Sequence, residues 1–239
     1  MNLSITQVPI WLSTIFSVVF FLVPPILIAN AAKKAIIRAK QSYAITIKRN
    51  ILIFYWVYFI LISIISLTGF FSVNTLPPRI IIVTVLPLFL FYIFIIQKKE
   101  WFRVVMNHIK LEELVFIHIF RFVGIFFFLV AYYGSLPKVF ANIGGIGDIL
   151  SAILVFPVIY TLKKKIRGAK NFVLVWNIIG LVDILSVLST AIYLTQTAIS
   201  NNNEGVLDFG SFPFSWIPAF APATIIFLHI LVFKKLSKN

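Results

Sequence analysis

The sequence contains no cysteine, which excludes disulfide bonds, thiolate metal sites and cysteine nucleophiles. Acidic residues are also scarce, with seven Asp and Glu against 21 Lys and Arg, giving a formal net charge of +14. The hydrolase motifs HExxH and GxSxG are absent as well. The sequence therefore gives no sign of hydrolytic chemistry, and we expect a protein that is not an enzyme of that kind.

Charged residues make up only 12% of the chain, whereas soluble domains contain about a quarter. Hydrophobic residues reach 61% and the mean hydropathy is +1.03. Several apolar runs approach about twenty residues, the length that crosses a hydrocarbon core of about 30 Å. These features predict an all-α fold, a polytopic membrane bundle of seven transmembrane helices in a single domain over residues 1–239. The predicted spans are residues 8–30, 50–73, 80–97, 114–134, 139–162, 171–194 and 214–233.

The basic residues are distributed unevenly between the loops. Eighteen of them fall in residues 31–49, 98–113, 163–170 and the C-terminal tail, and only Arg79 and Lys138 fall in the alternate loops. Because cytoplasmic loops carry the excess of Lys and Arg, we expect the N-terminus outside and the C-terminus in the cytoplasm. The same residues predict contact with anionic lipids at the cytoplasmic face and argue against nucleic acid as a partner. Residues 31–49 are predicted to form an amphipathic helix lying on the membrane.

A short sequence occurs twice in the second half of the chain. The copies read NIGGIGDILSAIL and NIIGLVDILSVLS, begin at Asn142 and Asn177, and contain Asp148 and Asp183 at equivalent places. Each copy lies in a predicted span, where a carboxylate indicates a functional or structural site. A short loop joins the two spans, so we expect antiparallel neighbours related by a pseudo-two-fold axis in the membrane plane, as around transporter sites. Both Asn and both Asp are assigned to one polar centre, a candidate ion or proton site.

The preceding span contains Arg121, the one Lys or Arg within an apolar segment, with His118 one turn earlier on the same face. An uncompensated Arg or Asp at the bilayer centre costs about 2.5–3.5 kcal/mol on insertion scales, and pairing removes that cost. We therefore expect Arg121 to meet Asp148, Asp183 or both. Two carboxylates against one guanidinium leave a negative charge, which a proton, a cation or His118 would balance.

His118 has a counterpart in the last span, His229, and both lie near the cytoplasmic ends of their spans. Two such His on facing helices are candidate axial ligands for a b-type haem. The alternative is that each His hydrogen-bonds a neighbouring helix, and apart from haem we expect no cofactor and no metal. A retinal protein is disfavoured because the last span has no buried Lys for a Schiff base.

Several features occur together across most of the chain. They are the stretch from Leu111 to Pro157, the seventh-span sequence FPFSWIPAFAPATIIFLHIL, the His118–Arg121 pair, Leu136-Pro137, and the Gly-rich run that ends at Asp148. In these features the chain resembles an uncharacterised family of bacterial multi-pass membrane proteins. The resemblance implies a seven-span protein of the bacterial inner (cytoplasmic) membrane. That family has no assigned activity, so the resemblance implies nothing about mechanism.

Three functions fit these residues. The first is a structural or assembly protein of the inner membrane, in which the polar centre fixes the helix register. The second is a small cation- or proton-coupled transporter or channel that uses Arg121 and both Asp. Here Pro213, Pro218 and Pro222 would kink the outer half of the last span and leave free carbonyls for a cation. The third is a membrane protein that holds b-haem between its two buried His.

Overall fold

The computed structural model describes residues 3–203 and 205–237, and Lys238 of the C-terminal tail lies outside them. The regular structure of the described residues is helical, apart from one isolated bridge between Ile5 and Phe212. The main helices are α1 (Ile10–Arg38), α2 (Ala44–Leu67), α3 (Ile81–Lys98), α4 (Glu100–His108), α5 (Leu111–Tyr132), α6 (Lys138–Lys163), α7 (Ala169–Asn201) and α8 (Trp216–Leu236). All except α4 are long and apolar enough to cross a membrane, which makes seven within the described residues. The predicted all-α bundle of seven spanning helices is confirmed.

The first two spanning helices extend into the basic segment between them. α1 continues to Arg38 and α2 begins at Ala44, so the amphipathic surface helix predicted over residues 31–49 is wrong. Ala35 and Ile36 are fully buried in the bundle, whereas Ile37 and Ile45 are exposed, so the apolar side chains of this segment do not share one face. The basic side chains therefore stand at the ends of two spanning helices, where long cationic side chains reach the polar headgroups.

One end of the bundle, here named the basic end, holds the segments rich in Lys and Arg. The guanidinium of Arg38 pairs with Glu113, and its Nε donates to the carbonyl of His108 at 3.0 Å. Lys235 Nζ, near the end of α8, donates to the carbonyl of Met106 at 3.2 Å. These contacts join the ends of α1 and α8 to α4 and to the start of α5.

The opposite end, here named the serine end, is covered by the N-terminal segment and the segment before α8. The hydroxyl groups of Ser4, Ser72 and Ser211 lie 2.7–2.9 Å from one another. The amide of Thr6 donates to the carbonyl of Phe212 at 2.9 Å. The N-terminal segment is thereby tied to the segment that leads into α8.

The central helices of the bundle are α8 and α5. In their most apolar stretches 78% and 67% of the residues are buried, against 39% or less in the other spanning helices. Aromatic rings surround α8, and the ring centroids of Phe20, Phe59 and Phe220 lie 5.4–5.7 Å apart. Side chains of α5 and α8 that face each other are therefore enclosed by protein. This enclosure applies to Arg121 on α5 and His229 on α8.

Candidate functional site

A tight segment of α5 sets the position of Arg121. Between His118 and Gly124 the helix is of the 3₁₀ type, with about three residues per turn, so side chains three apart lie on one line. His118 and Arg121 are both fully buried. Gly124 follows one turn later, where an added Cβ would lie 2.7 Å from the Cβ of Asp148. The segment thus brings the α5 backbone against α6 beside Asp148 and directs Arg121 into the bundle.

Arg121 joins α5 to both copies of the repeat. Its Nε donates to Asp148 Oδ1 at 2.7 Å, and its Nη2 pairs with Asp183. Its Nη1 donates to the carbonyl of Gly180 at 3.2 Å. Asp148 belongs to α6, whereas Asp183 and Gly180 belong to α7. One guanidinium therefore bridges the two equivalent carboxylates, each presented by its own helix.

The site is buried, and its formal charges do not balance. Arg121 has no exposed side-chain surface, Asp148 retains 5% and Asp183 retains 11%. Hydrogen bonds between charged groups in such an environment are short and about twice as strong as neutral ones. Removing one member of a buried pair is strongly destabilising, because it leaves the other charge uncompensated. Two carboxylates against one guanidinium leave one formal negative charge.

α8 joins the site through His229 and its partner Asn177. The Asn177 Nδ2 donates to the main-chain carbonyl of His229 at 3.1 Å, and its Oδ1 lies 2.7 Å from His229 Nδ1. Because an amide oxygen can only accept, the hydrogen of the imidazole is on Nδ1. His229 Nε2 is then an acceptor, and it lies 3.4 Å from Arg121 Nη1. Asn177, His229 and Arg121 thus form a chain of contacts that connects α7, α8 and α5. These three residues together with Asp148 and Asp183 are named here the Arg121 network.

The two repeat copies differ at their asparagines. Asn177 is fully buried in the network, whereas Asn142, its equivalent in α6, is exposed and takes no part in the polar centre predicted for it. α8 packs against α7, so the second-copy asparagine meets a partner there.

This difference supplies a matched pair of substitutions. Asn177→Ala is expected to lower the free energy of unfolding by about 1–3 kcal/mol, because it leaves the buried His229 Nδ1 without an acceptor. Asn142→Ala is expected to stay within about 0.5 kcal/mol of the wild type, as at other surface positions. Unfolding in detergent micelles, followed by circular dichroism, measures both variants. Equal losses in the two would contradict the arrangement described for Asn177.

His118 lies beside the network without joining its hydrogen bonds. Within the described residues neither of its ring nitrogens has a partner. Its ring lies edge-on to Trp176, with 5.0 Å between centroids, and the centroid of the His229 ring is 4.4 Å away. The two imidazoles are thus in direct contact. Both ring nitrogens of His229 already contact protein groups, Asn177 Oδ1 and Arg121 Nη1. The pair does not fit the b-haem arrangement suggested by the sequence, because no porphyrin can lie between touching rings.

Two glycines leave room for close contacts at the network, Gly180 with side chains and Gly145 with a neighbouring backbone. A Cβ on Gly180 would lie 2.7 Å from His229 Cε1 and 3.1 Å from Arg121 Nη1. Gly145, the equivalent residue in the first copy, faces the backbone of Gly124, with 3.0 Å between its added Cβ and the Gly124 carbonyl oxygen. Sequence reasoning missed the Gly180 carbonyl as a partner of Arg121. The repeat itself could have indicated this residue, since both copies have a glycine at this position.

A small cavity extends from the serine end to Asp148. Its volume is about 80 Å³, and its lining includes Asn74, Pro218 and Pro222. A cavity needs roughly 10–15 Å³ on this measure to hold one water molecule, so a few would fit. Pro222 lies within α8, where it removes a backbone donor. Pro218 and Pro222, two of the three prolines named for the last span, therefore border a space that reaches one of the two carboxylates, whereas Pro213 does not line it.

Comparison with known proteins identifies a family to which no mechanism has been assigned. A family model with the description "Domain of unknown function (DUF8737)" matches residues 77–237, which is more than half of the chain. The matched region contains every residue of the Arg121 network. No curated protein and no solved structure matches the chain.

Proposed function

The chain belongs to this family of unknown function, and we propose that it has a structural or assembly role in the membrane, with the Arg121 network fixing how its helices pack. The observation that carries the proposal is that the fully buried Arg121 donates to Asp148, to the Gly180 carbonyl and to Asp183. These partners come from two helices, and His229 adds a third. A network whose members pair with one another is suited to fixing helix register.

The proposed location is the bacterial inner membrane, with the N-terminus outside and the basic end in the cytoplasm. The uneven distribution of Lys and Arg supports this orientation, since eighteen of the 21 fall in the segments of one set of alternate loops. Anionic lipids at the cytoplasmic face are then natural partners of the basic end.

The second candidate is a small transporter or channel coupled to protons or cations. Two observations favour it. Asp148 lines the cavity that extends from the serine end, and the site contains two carboxylates but one guanidinium. A proton or a cation at the carboxylates would neutralise the remaining charge. In this function Asp148 and Asp183 would be the residues that exchange it.

Substitution of each carboxylate separates the two functions. Under the structural proposal, Asp148→Asn and Asp183→Asn each lower the free energy of unfolding by about 1–2 kcal/mol, because the neutral amide oxygen still accepts from Arg121 but makes a weaker hydrogen bond than a carboxylate. Proteoliposomes with the wild type or either variant should show the same proton and cation permeability as liposomes without protein. Stability is measured in detergent and permeability with a pH-sensitive dye inside the vesicles.

Asp208→Asn is the matched control, because Asp208 lies in the segment before α8 and outside the network. It should change neither the stability nor the permeability. If the wild type conducts protons or cations, and Asp148→Asn abolishes that flux while unfolding is unchanged, the structural proposal is wrong. The transport function then takes its place.

A further inference from the structure

A separate cleft lies at the basic end, outside the Arg121 network. Its volume is about 610 Å³, and α1, α5 and α6 form its walls. α5 packs against both of the other helices and so forms the floor between them. Lys34, Lys110 and Lys163 line the cleft, one contributed by each helix or its first cap position.

The charge of this cleft is positive. In the described part of the chain, the side chains of the three lysines form no ion pair. Glu113 also lines the cleft, but Arg38 Nη1 donates to its Oε1 at 2.8 Å, and the Lys110 amide donates to its Oε2 at 3.0 Å. Glu113 pairs with Arg38 and also interacts electrostatically with Lys34, so Glu112 and Glu113 stand against four cations, the three lysines and Arg38. The cleft retains an excess of positive charge and favours an anion.

Below the lysines the cleft is apolar. Seven residues from each lysine along the chain, toward the middle of the bundle, lies an apolar residue that also lines the cleft. The pairs are Lys34 with Leu27, Lys110 with Ile117, and Lys163 with Phe156. Seven residues are nearly two helical turns, so each pair shares one face and is separated by about 10 Å. All three walls therefore change from cationic to apolar at the same depth. A small soluble anion would contact only the layer of lysines and leave the apolar layer beneath them empty.

We infer that this cleft binds one anionic phospholipid. The phosphate lies between Lys34, Lys110 and Lys163, and one acyl chain runs along the apolar layer beneath them. Phe156 supports a lipid over a soluble anion, because 52% of its surface is exposed and accessible to a chain that enters from the bilayer. Basic pockets between transmembrane helices are known sites for anionic headgroups. The inference is independent of whether the Arg121 network is structural or transports an ion.

Native mass spectrometry of the purified full chain in detergent tests the inference. The probes are phosphatidylglycerol and phosphatidylcholine of equal chain length, titrated separately. The wild type is expected to retain one phosphatidylglycerol much more tightly than phosphatidylcholine. The variant Lys34→Gln/Lys110→Gln/Lys163→Gln is expected to lose roughly a hundredfold in affinity, about fivefold per lysine near a headgroup. Phe156→Ala, at an exposed position, should weaken retention of the lipid without changing the preference for its headgroup.

The control is Lys98→Gln/Lys99→Gln/Lys164→Gln, which removes three charges from exposed positions that do not line the cleft. It should bind phosphatidylglycerol as the wild type does. Equal weakening in both triple variants, or equal retention of the two lipids by the wild type, would overturn the inference. It would also be overturned if inorganic phosphate bound as tightly as phosphatidylglycerol, since the site would then take a soluble anion. Melting temperatures of all variants identify any loss that results from unfolding.

Discussion

Replacing Arg121 with Gln is expected to lower the free energy of unfolding by about 3–5 kcal/mol, and no other single substitution in the Arg121 network is expected to cost more. The variant leaves the buried Asp148 and the mostly buried Asp183 close together and without the guanidinium that both contact. Gln can accept or donate one or two hydrogen bonds, but it supplies no charge. Since whole domains are stable by only about 5–15 kcal/mol, the variant should melt far below the wild type.

Arg103→Gln is the matched control for this variant. Arg103 lies in α4 and is exposed, so the Arg103→Gln variant loses the same charge at a solvated position. Its effect should stay within about 0.5 kcal/mol. Both variants are compared by equilibrium unfolding in mixed micelles. If Arg121→Gln unfolds together with Arg103→Gln, the paired charges contribute nothing to stability and the proposed role of the network fails.

The second large effect is expected at Gly180. Gly180→Val should destabilise the protein by about 3 kcal/mol, because overpacking of a filled interior costs about 1–3 kcal/mol and displaced charged hydrogen bonds add to it. The new side chain would meet His229 and the Nη1 of Arg121, and the first of these is held in place by Asn177. Neither neighbour can move without breaking a contact of the network.

Ser189→Val provides the comparison for Gly180→Val. Ser189 lies on the same helix, α7, and is exposed, so the substitution adds apolar volume where no neighbouring group has to move. Its stability should remain near that of the wild type. A Gly180→Val protein that unfolds at the same denaturant concentration as Ser189→Val would show that α7 does not approach the network as closely as described.

Physical reasoning from the sequence reached the helices and the charged partners because both depend on large local costs. Apolar runs of bilayer length have few alternatives to spanning helices, and the fold follows from them. Arg121 and the two repeat carboxylates had to be compensated somewhere in the bundle, and the structure brings them together. These features required no knowledge of how the helices are arranged around one another.

Other features depend on which helix lies beside which, and a single sequence does not contain that information directly. Asn142 and Asn177 occupy equivalent positions in the repeat, yet α8 packs beside only the second in the described arrangement. The 3₁₀ segment of α5 was also not foreseen, because a helix that is apolar all round shows no periodicity to interrupt. The basic cleft needs residues from α1, α5 and α6, which are distant in the chain.

The most direct test of the structural proposal is the charge-neutral variant Arg121→Gln/Asp148→Asn/Asp183→Asn. It removes all three charges together, so no buried charge is left uncompensated, and replacement of a whole buried ion pair is often nearly neutral. We expect its free energy of unfolding to recover by at least about 2 kcal/mol from that of Arg121→Gln. Its permeability in proteoliposomes should equal that of the wild type. A variant as unstable as Arg121→Gln, or a wild-type ion flux that this variant lacks, would contradict the account.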